Sequence, residues 1–170
     1  MPDESRAAPF DPERIVRVLA AHRVGYVLIG ALGARLYGFP RVTADIDITP
    51  DAAPENLELL ADALRELSAR VYTESVPEGL AFDCSAKTLG RAVLWNLVTD
   101  AGRLDIAFMP SGTQGYADLS SSAEHFEVFD TEIRVASLAD IIRSKIAADR
   151  PQDRQDVPVL QALLARELGK

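Results

Sequence analysis

The chain has 170 residues, of which 48% are hydrophobic and 26% are charged. These fractions are typical of one globular domain with its own core, and they exclude a disordered or collagen-like chain. The 18 basic and 26 acidic residues give a net charge of -8. This charge disfavours a general nucleic-acid-binding surface, because Lys and Arg must neutralise the phosphates. Any nucleic-acid contact would have to be made by a local basic patch or to a single-stranded end.

The sequence shows no feature of a membrane or secreted protein. No apolar run approaches the roughly 18 residues that span a bilayer. Residues 1–12 carry acids and prolines where a secretory signal has basic residues and an apolar stretch, so we expect a cytoplasmic protein. The single cysteine, Cys84, cannot form an internal disulfide or a thiolate zinc site, and the two histidines are isolated. Any metal is therefore expected to be bound mostly by carboxylates.

The first third of the chain alternates helices and strands. We predict a flexible N-terminal tail over residues 1–10 and a single domain over residues 11–170. Within that domain, the first predicted elements are a helix over 11–22, a buried strand over 26–29 that ends at Gly30, a short helix over 31–37 and a strand over 44–49. Leucines at helical spacing then predict a long helix over 54–70.

The remainder is rich in short apolar runs separated by Pro and Gly. Strands are predicted over 70–73, 80–84, 93–99 and 104–109, followed by a hairpin of strands 126–129 and 132–136. The polar stretch 111–122 is predicted to be flexible and to form the rim of a site, with Tyr116 as a candidate base contact. Ser137 begins a helix, and a terminal helix is predicted to break or bend near Pro158. This order predicts an α/β or α+β fold with a mixed sheet flanked by helices, ending in C-terminal helices.

Asp45-Ile46-Asp47-Ile48 is the first candidate for chemistry. Residues two apart in a strand share a face, so the two carboxylates lie about 6 to 7 Å apart at their Cα atoms while the isoleucines enter the core. A divalent cation would remove the repulsion between the two charges. A half-exposed strand with a solvated acidic face would show the same pattern, so the motif alone does not identify a metal site.

The preceding residues strengthen the metal interpretation. A buried strand runs directly into Gly30, whose missing side chain permits close backbone approach, and the next helix presents free N–H groups there. Gly30 alone is explained by a tight turn. Together with Arg41 and the two aspartates it favours a phosphate-binding turn beside a pair of metal ligands.

This pattern resembles the nucleotidyltransferase superfamily with the DNA polymerase β-like fold, and specifically the AbiEii/MenT-like toxins of type IV toxin-antitoxin systems. The resemblance covers roughly residues 24–160. The family pattern is a strand ending in Gly-Gly or Gly-Ser, a short helix, and Gly-x-x-Arg-x-Thr-x-Asp-x-Asp. The matching residues here are Gly30, Ala31, Gly38, Arg41, Thr43, Asp45 and Asp47. Ala31 departs from the family, because it lacks the phosphate-contacting hydroxyl of Ser.

The resemblance implies a third carboxylate on a neighbouring strand, and Asp105 is its counterpart. Leu104, Ile106 and Phe108 alternate towards the core, which places Asp105 on the opposite face. An edge-strand aspartate facing water is the alternative. With Asp105 included, the implied metal ligands for Mg²⁺ or Mn²⁺ are Asp45, Asp47 and Asp105.

A second family signature, Lys-x-x-Ala-x-Arg-Pro-x-Asp-x-x-Asp, is similar to the run from Lys145 to Asp156. Lys145 is set in a mostly apolar helix, so it either reaches solvent or binds an anion, and the resemblance implies that it binds nucleotide phosphates. Arg150 is a second implied phosphate ligand. Asp156 is included in the implied nucleotide site, although Asp153 and Asp156 equally suit salt bridges to Lys145 or Arg150.

The resemblance implies an enzyme that transfers a nucleoside monophosphate from a nucleoside triphosphate to an acceptor hydroxyl. Gly30, Ala31, Arg41, Thr43, Lys145 and Arg150 would bind the nucleotide. The implied acceptor is a tRNA 3′ end, with a cognate antitoxin as regulator. Two alternatives remain open: a small-molecule nucleotidyltransferase of the aminoglycoside-modifying kind, and a non-catalytic, antitoxin-like nucleotide-binding module.

Overall fold

A computed structural model describes residues 8–170 of the chain. These residues form seven helices: α1 (Pro12–Ala21), α2 (Gly30–Leu36), α3 (Pro54–Glu66), α4 (Ala86–Leu89), α5 (Tyr116–Ser122), α6 (Leu138–Ala148) and α7 (Pro151–Leu168). They also form eight strands: β1 (Tyr26–Ile29), β2 (Asp45–Pro50), β3 (Arg70–Thr73), β4 (Val76–Leu80), β5 (Leu94–Thr99), β6 (Gly102–Ala107), β7 (Glu124–Val128) and β8 (Thr131–Val135). Between residues 8 and 170, no helix combines the length and the apolar character that a bilayer span requires.

The eight strands belong to one mixed sheet with the order β4-β3-β5-β6-β2-β1-β8-β7. β2 runs antiparallel to β1 and parallel to β6, and Asp47 is directly opposite Asp105 in the parallel pair. The predicted mixed sheet flanked by helices is therefore confirmed. The register matters most for function, because it places two of the acidic residues side by side.

The sheet divides the molecule into two layers with different contents. On one face Ile46, Ile48, Leu104 and Ile106 are fully buried, in a cluster with side chains of α1 and α3. Burying one such isoleucine stabilises the fold by about 1.5 to 3 kcal/mol. Because side chains alternate along a strand, this burial turns Asp45, Asp47 and Asp105 to the other face. There α2, α5, α6 and α7 pack around a second, smaller cluster.

One residue of the predicted flexible tail, Phe10, is packed against the core. Residues 1–7 of that tail lie outside the described residues. A Cβ on Gly102 would lie 2.9 Å from the Phe10 Cα atom. The Asp11 side chain then caps α1 by accepting a hydrogen bond of 3.0 Å from the backbone of Arg14.

Four element predictions need correction. The strand predicted over 80–84 is instead β4, an edge strand that contains Pro77 and Gly79, because an edge position tolerates a residue without a ladder hydrogen bond. α3 ends at Glu66 because Ser68 adopts a left-handed conformation with φ 54°. The stretch 111–122 is not flexible throughout, since α5 buries Leu119. Pro158 does not break α7.

Candidate active site

A cavity of about 730 Å³ opens over the sheet face that carries the acidic residues. It lies between β2 and β6 on one side and α6 and α7 on the other. The structure brings nine predicted site residues to its lining: Gly30, Ala31, Arg41, Asp45, Asp47, Asp105, Lys145, Arg150 and Asp156. The cavity therefore joins segments that are more than 100 positions apart in the sequence.

Asp47 is the most electrostatically perturbed of the acidic residues. Burial raises the pKa of its carboxyl to about 7, and the negative charges of Asp45 and Asp105 act in the same direction. The positive charges of Arg150 and Lys145, which line the same cavity, oppose this rise. A cation bound next to Asp47 would stabilise the ionised form of this carboxyl and so lower its pKa.

Asp105 is held by a partner that sequence reasoning missed. The Arg103 guanidinium donates hydrogen bonds of 3.0 and 3.3 Å to its two carboxylate oxygens. Burial raises the pKa of Asp105, and the Arg103 hydrogen bond opposes that rise. Arg103 in turn lies 3.6 Å above the centre of the Tyr72 ring and bonds the Leu97 carbonyl at 3.2 Å. The signal was available, because Arg103 and Asp105 are two apart on one strand and so share a face.

The cationic side of the cavity is built on two buried carboxylates. Asp153 and Asp156 are only 1% and 2% exposed. The Lys145 ammonium lies between them, 3.3 Å from an Asp153 oxygen and 3.1 Å from an Asp156 oxygen. Both aspartates therefore act as supports that hold Lys145, which matches the salt-bridge alternative for these residues.

The two arginines complete this ion cluster. Arg41 donates to Asp156 through Nε at 3.1 Å, and Arg150 donates to Asp153 through Nε at 2.8 Å. The Arg150 backbone N–H also bonds Asp153 at 3.1 Å, which caps the first turn of α7. Burial would raise the pKa of Asp153, but the hydrogen bonds from Arg150 and the positive charges of Arg150 and Lys145 together hold the pKa below its usual range.

Gly30 is required by the geometry of the site itself. Its φ of +68° lies in the left-handed region, and a Cβ at this position would sit 2.3 Å from an Asp47 carboxylate oxygen. No other residue can occupy this turn while Asp47 keeps its position. The predicted close approach at Gly30 is thus made by a carboxylate of the site.

No protein-family model and no curated protein matches the chain. Solved structures do. The lincomycin-bound lincosamide antibiotic adenylyltransferase LnuA matches with a TM-score of 0.60 and 17% identity, over 92% of this chain and 99% of that one. A putative nucleotidyltransferase of Thermotoga maritima, TM1012, matches with a TM-score of 0.55 and 19% identity, over 96% and 99%. The antibiotic-resistance factor ANT(2'')-Ia matches with a TM-score of 0.53 and 16% identity, over 93% and 91%.

The chain has the nucleotidyltransferase fold. Each of the three similarities extends over nearly the whole of both chains, which agrees with the mixed sheet and flanking helices described above. On this fold, the carboxylates of β2 and β6 and the cations of α6 and α7 meet across one cavity. The AbiEii/MenT-like subgroup is not among these similarities.

The carboxylates at the centre of the nucleotidyltransferase fold are ligands that Mg²⁺ prefers, but their side chains are not already gathered into a complete metal site. Hard divalent cations prefer oxygen ligands, and Asp45, Asp47 and Asp105 supply them on one sheet face. Within residues 8–170, no three His, Cys, Asp or Glu side chains are close enough to form a ready-made metal centre. The donor set therefore fits the ion, while Asp105 is engaged by Arg103.

Thr43 and Tyr116 do not line the cavity. The Thr43 hydroxyl donates to an Asp45 carboxylate oxygen at 2.8 Å, so it orients that side chain from behind. Tyr116 packs in the second core cluster, and Arg134 donates to its hydroxyl at 3.4 Å, which removes it as a base contact. Sequence reasoning also missed Asn96, which pairs with Asp105 across β5 and β6 and lines the cavity.

Proposed function

We propose that the chain is a metal-dependent nucleotidyltransferase that moves a nucleoside monophosphate from a nucleoside triphosphate to an acceptor hydroxyl. One observation carries the proposal: Asp45, Asp47 and Asp105 line the same cavity as Lys145 and Arg150. Carboxylates suit the metal ion that accompanies a triphosphate, and fixed cations suit its phosphates. The three structural neighbours, all described as nucleotidyl- or adenylyltransferases or as a resistance factor, support the same activity.

The roles of the residues follow from their places. Asp45, Asp47 and Asp105 would bind Mg²⁺ or Mn²⁺, which, when bound, neutralises charge on the phosphates and on the leaving pyrophosphate. Lys145, Arg150 and Arg41 bind the β- and γ-phosphates from the α6 and α7 side. The backbone at Gly30 and Ala31 lines the same cavity, where no side chain larger than a methyl group obstructs a phosphate.

The cation cluster is suited to this task because it is preorganised. Lys145 is only 12% exposed and is already fixed by two buried carboxylates. Binding a phosphate there costs little side-chain entropy, since the ordering has occurred during folding. The cavity lining has more carboxylates than cations, so a triphosphate, which is itself an anion, needs a metal ion with it.

Two acceptors are candidates. The sequence resemblance favours an RNA acceptor, a tRNA 3′ end, with growth inhibition as the outcome and a cognate antitoxin as regulator. Two of the structural neighbours are an antibiotic adenylyltransferase and an antibiotic-resistance factor, which favours a small-molecule acceptor. The net charge of -8 supports the second candidate, because an acidic protein attracts a cationic small molecule and repels RNA.

A transfer assay tests the activity. The full chain is incubated with each α-labelled nucleoside triphosphate, Mg²⁺, and either total RNA or a panel of hydroxyl-bearing antibiotics. We expect labelled product with the wild type and at least a 100-fold loss in Asp47→Asn. Asp130→Asn is the matched control, because the Asp130 side chain is 94% exposed and lies outside the cavity. Unchanged transfer in Asp47→Asn overturns the proposal, and triphosphate binding without transfer to any acceptor indicates the non-catalytic module.

A further inference from the structure

One wall of the cavity is apolar. Val93, Leu94 and Met109 are large hydrophobic side chains that stay 68%, 53% and 62% exposed, and all three line the cavity. Their backbones adjoin, since the Phe108 N–H donates to the Val93 carbonyl at 2.8 Å and Leu94 pairs with Ala107. We call these three residues the apolar wall. Contiguous exposed apolar side chains in a cavity mark a binding surface rather than ordinary exposure.

The β5 part of the apolar wall and the cations lie on different sides of the carboxylates of β2 and β6. Across the sheet the strand order is β5, β6, β2, β1, so Leu94 and Asn96 lie beyond Asp105. The cationic residues that line the cavity within residues 8–170 are Arg41, Lys145 and Arg150, and each is bound to Asp153 or Asp156. Asp45, Asp47 and Asp105 lie between the cations and the β5 part of the wall.

The geometry of the transfer reaction indicates where the triphosphate and the acceptor bind. The acceptor oxygen forms a bond to the α-phosphorus while the bond from that phosphorus to the bridging oxygen breaks. Pyrophosphate leaves, and the hydroxyl proton passes to a carboxylate of the site. Entering and leaving oxygens lie on opposite sides of phosphorus in an in-line displacement. With pyrophosphate at the cations, the acceptor approaches from the side of Asp105.

We propose that the apolar wall, with Asn96 at its border, binds the acceptor, and that the acceptor is a small molecule with an apolar face next to its reacting hydroxyl. This proposal rests on the proposed function. An RNA end is disfavoured because its phosphates need cations. Among the described lining residues the cations are Arg41, Lys145 and Arg150, all bound to Asp153 or Asp156, and Arg103 on the same sheet face is engaged by Asp105. The cavity of about 730 Å³ must also hold the triphosphate, so the space left beside the wall suits a small acceptor.

Methionine methyl NMR tests the proposal directly, because Met109 and Met1 are the two methionines of the chain. The full chain, labelled at the methionine methyl groups, is saturated with a non-hydrolysable triphosphate analogue and Mg²⁺. Three probes are then titrated: hexyl β-glucoside, glucose and bulk tRNA. Hexyl glucoside and glucose differ only in the apolar group. We expect hexyl glucoside to shift the Met109 signal saturably, with an affinity at least fivefold above that of glucose.

Variants separate this proposal from the proposed function. Val93→Thr and Leu94→Asn keep side-chain size but make the wall polar, and both positions are exposed, so folding is retained. We expect each to weaken hexyl glucoside at least fivefold while triphosphate affinity changes less than twofold. Leu168→Asn is the matched control, since Leu168 is 80% exposed and lies outside the cavity.

The outcomes are distinguishable. A Met109 shift produced by tRNA but by neither sugar overturns the small-molecule assignment in favour of RNA. Equal shifts from glucose and hexyl glucoside, no shift from any probe, or undiminished binding in both wall variants overturns the apolar wall as the acceptor surface. Absence of triphosphate binding in the wild type, measured first, instead overturns the proposed function.

Discussion

The Arg41 guanidinium donates two hydrogen bonds to one oxygen of the Asp156 carboxylate, although the residues are 115 positions apart. The other Asp156 oxygen accepts from Lys145 at 3.1 Å. Asp156 thus connects the segment before β2, which carries two of the acidic residues, to the helices that carry the cations. The buried Asp156 carboxylate therefore links the segment that leads into β2 to Lys145 on α6.

Asp156→Asn should therefore weaken both the fold and nucleotide binding. The substitution keeps size but removes the charge that pairs Arg41 and Lys145. Breaking a buried ion pair on one side costs about 3 kcal/mol, so we expect a loss of that order in the free energy of unfolding measured with urea. We also expect triphosphate affinity to fall at least tenfold. Glu167→Gln, a change of the same kind at an exposed position of α7, should alter neither quantity.

Asp47→Asn should stabilise the metal-free protein while abolishing transfer. Burial first, then Asp45 and Asp105, raise the pKa of Asp47 from 3.8 to about 7. An acid with a raised folded-state pKa costs no stability below the unfolded-state pKa, and the cost grows between the two values as pH rises. The variant should therefore exceed the wild type by on the order of 1 to 3 kcal/mol at pH 8, and by less at pH 5. Urea unfolding in the presence of a chelator measures this difference, and a constant difference across the pH range would contradict it.

Gly30→Ala should be far more damaging than an alanine elsewhere. A left-handed alanine costs roughly 1 to 2 kcal/mol, and its Cβ would also displace Asp47. Transfer should fall at least 100-fold. Gly90→Ala is the control, because Gly90 has φ -71° and a Cβ there meets only ordinary contacts of 3.5 Å. Comparable transfer activity in the two variants would contradict the requirement for glycine at position 30.

Lys145→Met should lower both the free energy of unfolding and the affinity for triphosphate. The variant leaves Asp153 and Asp156 without a shared partner, so we expect about 3 kcal/mol of destabilisation and at least tenfold weaker triphosphate binding. Arg154→Met removes a solvent-exposed ion pair to Asp149 and should cost far less stability than Lys145→Met. Urea unfolding and titration calorimetry measure both effects, and equal losses in the two variants would refute the distinction.

Local patterns predicted much of this architecture. The alternation of Asp and Ile over 45–48 reports which face is buried, because the strand period is two, and the same holds for Leu104, Asp105 and Ile106. Ser137 and Asp11 mark helix starts because their side chains accept backbone hydrogen bonds. These features depend on neighbours in the sequence, so the sequence reveals them.

Long-range relations are different. The contact between Arg41 and Asp156, and the pairing of Asp47 with Asp105, depend on how distant segments dock. No local periodicity encodes them, and only the family resemblance suggested that these segments meet. β4 was placed wrongly because Pro77 and Gly79 look like breakers until the strand is known to lie at the sheet edge.

The central claim is that the carboxylates of β2 and β6 and the cations of α6 and α7 form one site for a metal-bound triphosphate. Titration calorimetry with the four nucleoside triphosphates, each with Mg²⁺ and with chelator, tests it most directly. The account predicts that at least one triphosphate binds tenfold or more tightly with Mg²⁺, and that Asp47→Asn removes this dependence. Equal affinity with and without Mg²⁺, or a dependence that survives in Asp47→Asn, would contradict it.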